Sequence, residues 1–133
     1  MYRTDWLMQQ LEDGAACLAA VFGYRVAGQP AEARIELEGA ALRLLGIDPA
    51  TLSLFSDEQV LDLLSSDGQL QADRCLLAGW LLAEDAEIQA MLGKSPDAGR
   101  ARSRRFAEAA WTARPDLRDE PTLGVAAWKA RFG

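Results

Sequence analysis

Leu7, Leu11, Ala15, Leu18 and Phe22 recur at steps of three and four residues, the spacing of one face of an α-helix. Thr4 or Asp5 can cap the start of this helix, and Gly23 suits a left-handed position beyond its end. The segment "YRVAGQP" follows, with Gly28 and Pro30 as breakers. A second run then places Ile35, Gly39, Leu42 and Leu45 on one face, with Leu37, Ala41 and Leu44 beside it. Glycine inside a helix costs about 1 kcal/mol relative to alanine, so the pattern assigns Gly39 to a close approach between helices. Gly46 ends the run, and Ile47 can fold back over its last turn.

Asp48 and Pro49 have the chemistry of a cap and a first helical position, which predicts a short turn of helix over "DPATLSLF". Ser56 and Gln59 then form a capping box that opens "DEQVLDLLSS", and Asp67–Gly68 ends it. The longest element spans about 70–92, with Leu70, Leu77, Leu81, Ile88 and Leu92 in one stripe. A further helix over 98–113 carries Phe106, Ala109, Ala110 and Ala113 and stops at Pro115. Pro121 can open a last helix on which Val125, Trp128 and Phe132 share a face. No segment alternates as a strand does, and no hairpin turn joins two β-like runs. The pattern therefore predicts an all-α single domain over 1–133, with six to seven helices in antiparallel pairs joined by short connections. It divides into N-terminal helices over 1–68, a helix pair over about 70–115 and a capping helix over about 121–132.

Charge decides what the uncharged stretch "GAACLAAVFG" is. Asp5, Glu12 and Asp13 precede it against Arg3 alone, the wrong sign for a signal peptide. Ten residues are also about half the roughly 20 that span a bilayer. The stretch reads as the buried face of an amphipathic helix, with no membrane role. Cys17 and Cys75 lie far apart in apolar helical stretches and read as reduced thiols of a cytoplasmic protein. The chain has no histidine. That removes Ser-His and Cys-His nucleophile pairs and histidine-bearing zinc sites. No EF-hand loop, phosphate-binding glycine loop or Gly-x-Ser-x-Gly motif is present, and no catalytic residue, cofactor or metal is assigned.

Leu82, Ala86 and Gln89, then Gly93 and Ala98, fall where a tetratricopeptide repeat places its large, small and packing residues, its turn glycine and the small residue opening its second helix. The segment resembles that repeat, and Phe106, Ala109 or Ala110, and Pro115 resemble its closing part if about one extra turn is allowed. The opening "DWLMQQLE" resembles a family of small bacterial helical proteins of uncharacterised function, whose later half is also tetratricopeptide-like. The resemblance implies a right-handed stack of helix pairs and carries no catalytic residue across. Helix pairs of this kind usually need about three copies to share a core, and six helices make three pairs.

The candidate chemistry lies in charge and aromatic clusters. Residues 1–93 carry 5 basic and 15 acidic side chains, whereas residues 94–133 carry 9 basic and 5 acidic. "RARSRRF" concentrates Arg100, Arg102, Arg104 and Arg105. These could pair with "AEDAE" across the preceding turn, stay solvated, or meet an anionic partner. A net charge of −6 disfavours nucleic acid. Glu36, Glu38, Glu84, Asp85 and Glu87 read as solvated helix faces. Trp6, Trp80 and Trp111 read as core. Val125, Trp128 and Phe132 must dock either on their own domain or on a second subunit. The expected function is a non-catalytic protein–protein interaction module, with a homodimer as one form. The alternative is a small-molecule binder or enzyme with a pocket between helices, which would show polar groups converging in one apolar cavity.

Overall fold

The computed structural model describes the backbone of residues 2–133 and the side chains of residues 8–133. Seven α-helices make up most of the described chain, and the fold is all-α. Helix α1 spans Tyr2–Val26, α2 Pro30–Leu45, α3 Pro49–Leu52 and α4 Asp57–Leu63. Strands β1 (Ser65–Ser66) and β2 (Gln69–Leu70) lead to α5 (Ala72–Met91) and α6 (Asp97–Ala113). A 3-10 turn over Pro115–Asp119 precedes α7 (Val125–Phe132).

Helix α5 is the centre. From Cys75 to Glu84 every residue is buried, because α5 packs against α6 most extensively and also against α1 and α2. Two glycines allow this. A Cβ on Gly79 would lie 2.9 Å from the Ala107 backbone nitrogen and 3.0 Å from the Ser103 carbonyl oxygen. One on Gly99 would lie 3.1 Å from the Ala86 Cβ. The contacts 79 to 103–107 and 86 to 99 show that α5 and α6 run antiparallel. Gly93, at φ 82°, supplies the left-handed turn between them. Ala98, expected at this packing position, is exposed, and Gly99 takes the place.

The caps follow the sequence in part. Asp48 accepts the Thr51 amide at 3.2 Å. Ser56 and Gln59 exchange reciprocal bonds of 2.9 and 3.1 Å. Gly46 closes α2 at φ 76°. Helix α1, however, runs through Gly23 to Val26, and the left-handed residue is Gly28 at φ 75°. Nothing at Gly23 forces a stop, since a lone glycine costs less than breaking a packed helix. Thr4 and Asp5 lie within α1; their side chains, like those of Trp6 and Leu7, fall outside the described residues. In α7 the helix starts at Val125, four residues after Pro121, because residues 121–124 form a turn organised by Glu120, which accepts the Thr122 and Leu123 amides.

Two other expectations are corrected. Helix α4 stops at Leu63, before Asp67–Gly68, which instead form the turn of a two-residue hairpin pairing Ser65 with Leu70 and Ser66 with Gln69. Both turn residues have positive φ, 53° and 77°, the pattern of the type I′ turn that Asp-Gly favours. The second concerns α2. Its buried face is Ala33, Leu37, Ala40, Ala41 and Leu45, whereas Ile35 is 71% and Leu42 57% exposed. Among the described residues no atom outside its own helix turn lies within 4 Å of a Cβ built on Gly39, so none of them approaches it.

Candidate functional site

The arginines of α6 are engaged within the chain. Arg100 grips Glu87 of α5 through two bonds of 2.7 and 2.9 Å, which hold the Glu87 carboxyl below its ordinary range. Arg102 binds Asp57 at 2.8 Å and also donates to the Leu52 and Phe55 carbonyls. It thereby ties the α3–α4 segment to α6. Arg105 also reaches Asp57, and Arg104 pairs with Glu108 on its own helix. Three of the four thus join the basic C-terminal stretch to the acidic N-terminal one, and Glu87 is the member of "AEDAE" that takes part.

Glu84 and Asp85 behave otherwise. Glu84 is fully buried, in contrast to the solvated face expected of it, and lies between Arg25 of α1 and Arg131 of α7. Arg25 donates to it at 2.6 and 3.4 Å, and Arg131 stands 3.9 Å away. Burial pushes the Glu84 carboxyl up, and the two guanidiniums oppose that shift. Both guanidiniums cover aromatic rings, Arg25 over Phe22 and Arg131 over Phe22 and Trp80. The signal was present in the sequence: Leu77, Leu81, Glu84 and Ile88 follow one another at steps of four, three and four along the buried stripe.

Helix α7 docks on its own chain beside this cluster. Trp128 is 7% exposed and meets Trp80, Trp111 and Phe132 at centroid distances of 5.2, 5.8 and 4.8 Å. Val125 and Phe132 are half-buried. Trp80 donates its indole N–H to the Leu123 carbonyl at 3.1 Å, fixing the segment that leads into α7. The aromatic face therefore has an internal partner in the structure.

Among the open places, which include grooves beside Phe22 and Arg131 and beside Cys17 and Arg43 and the exposed Leu54 and Val26, two bear on function. One is a cleft of about 330 Å³ between α2, α3, α5 and the start of α6. Asp85 and Gln89 line it from α5, and Arg34 and Glu38 from α2, over an apolar floor that includes Leu37 and Ala86. Burial raises the Asp85 carboxyl, with Gln89 and Arg34 acting against it, and Gln89 Oε1 is buried without a partner. The other is the outward face of α2, with Ile35, Gly39 and Leu42. The periodicity places these three on one face and assigns Gly39 to a close approach between helices, which the fold does not supply. Both thiols are free, and burial pushes Cys75 up to about 12. No helix among the described residues is long and apolar enough to cross a membrane. Comparison with protein-family models, with curated proteins and with solved structures finds no match to this chain.

Proposed function

We propose that the chain is a non-catalytic, cytoplasmic protein-interaction module built around a tetratricopeptide-like pair, α5 and α6. The antiparallel pair with glycine-mediated contacts supports the repeat-like reading, and the two free thiols suit a reducing compartment. The observation that carries the function is the outward strip on α2. Its aliphatic side chains stand on a rigid helix whose other face is core, so they are presented without an ordering cost. The internal engagement of Arg100, Arg102 and Arg105 argues against a nucleic-acid surface. A benzophenone side chain introduced at Ile35 or Leu42, irradiated in the native cell, should give a protein adduct that the same group at exposed Ala20 does not. Equal labelling at all three positions would remove the reading.

The cleft at Asp85 and Gln89 favours a second reading, a small-molecule site. Its unpartnered acceptor calls for a hydrogen-bond donor such as an amine. Small primary amines should then raise the melting temperature of the protein but not of an Asp85→Asn, Gln89→Leu variant. No difference between the two proteins would dismiss the site.

A further inference from the structure

We infer that the partner of the α2 face is a second copy of this chain, held helix to helix in antiparallel order across Gly39. This rests on the interaction-module reading and adds its occupant. Successive residues of a helix turn by about 100° and rise about 1.5 Å. Measured from Gly39, Ile35 and Leu42 therefore lie about 40° and 60° to one side, about 6 Å below and 4.5 Å above it. Glu32, Glu36 and Arg43 lie about 20°, 60° and 40° to the other side, the two acids below and the arginine above.

A two-fold axis through Gly39 and perpendicular to α2 exchanges above for below and keeps each side facing its own kind. Ile35 of one copy then meets Leu42 of the other, twice. Arg43, which within one copy donates to Cys17 Sγ at 2.9 Å, turns to Glu32 and Glu36 of the partner copy, also twice. A parallel arrangement would instead exchange the sides and set Ile35 against Glu36, and Leu42 against Arg43, of the other copy. Gly39 lies at the crossing, where the open space beyond its Cα lets the two backbones approach. Three independent features thus agree on one partner: misplaced aliphatic side chains, an interior helical glycine with no internal use, and a charge pattern complementary to itself. The contact is small, two 16-residue helices and their margins, which points to reversible association.

Sedimentation velocity between about 1 and 100 µM tests it, a range that covers the micromolar constants of small interfaces. The wild-type protein should pass from monomer to dimer. Gly39→Leu should weaken the dimer at least tenfold without lowering the melting temperature, since the added side chain meets open space in the monomer. Glu36→Arg and Arg43→Glu should each be monomeric alone, through repulsion at both ends. Mixed in equal amounts, they should form a heterodimer with both pairs restored. A wild-type monomer at 100 µM overturns the inference, as does a dimer indifferent to Gly39→Leu or a mixture that stays monomeric. A benzophenone adduct to a different protein, with the purified chain monomeric, would overturn the self-partner while leaving the module. Absence of both adduct and dimer would remove both.

Discussion

Glu84 lies in the most buried part of α5, and two guanidiniums reach it from different helices. Its carboxyl is raised by burial, so the folded state binds a proton more readily than the unfolded chain does. Its contribution to stability therefore improves as pH falls toward the ordinary carboxylate value of 4.5, and declines as pH rises through the raised value. Urea denaturation should show wild type gaining on Glu84→Gln between pH 7 and pH 5; a gap that widens against wild type would contradict this. Glycine gives a second residue-scale contrast. Gly79→Ala pushes a methyl into the α6 backbone and should cost about 1–3 kcal/mol. Gly39→Ala meets open space and should gain up to about 1 kcal/mol. Denaturation of the two variants under one set of conditions checks the opposite signs.

Helix α7 has only eight residues, too few to be stable alone, so its aromatic contacts hold it in place. Trp128→Ala should cost about 3–5 kcal/mol, as buried aromatic truncations do, and should quench-expose Trp80 in iodide titrations. A loss below about 1 kcal/mol would mean that α7 is detachable. Arg102 does similar work for a less apolar element. It binds one carboxylate and two carbonyls of the α3–α4 segment, and few other groups hold that segment to α6. Arg102→Ala should accelerate amide exchange over residues 49–64 while sparing α5. Uniform acceleration along the chain would show that Arg102 supports the whole fold instead.

Over the whole molecule, the opposite charges of the two halves are matched inside one chain. Arg100 to Glu87, Arg102 and Arg105 to Asp57, and Arg131 to Glu84 all join a basic residue after position 93 to an acidic one before it. This removes a long-range reason for the halves of two copies to attract each other, and it moves the case for association to the local charge pattern of α2. The outer pairs are exposed to solvent and screened by salt, whereas the enclosed Glu84 cluster is shielded from it. Thermal melts in 1 M sodium chloride should accordingly lower the melting temperature by only a few degrees.

Helical class, the caps at Asp48 and Ser56 and the stop at Gly46 depend on neighbours within a few residues, so the order of residues alone determines them. The same holds for the central positions of α5, which is apolar on nearly every side, although Leu70 and Leu92, read into its stripe, fall in β2 and on the exposed end. Helix α2 is different. It carries two adjacent apolar stripes, and only the positions of α1 and α5 decide that Leu37 and Ala41 go inward while Ile35 and Leu42 face out. The spacing of Glu84 puts it on the buried stripe, but its ion partners Arg25 and Arg131, 59 and 47 positions away, come only with the fold. The same is true of close packing between helices, which falls at Gly14 and Gly79 and leaves Gly39 open. Periodicity reports how many faces a helix can bury. The arrangement of its neighbours chooses among them, because burial is a property of pairs of surfaces.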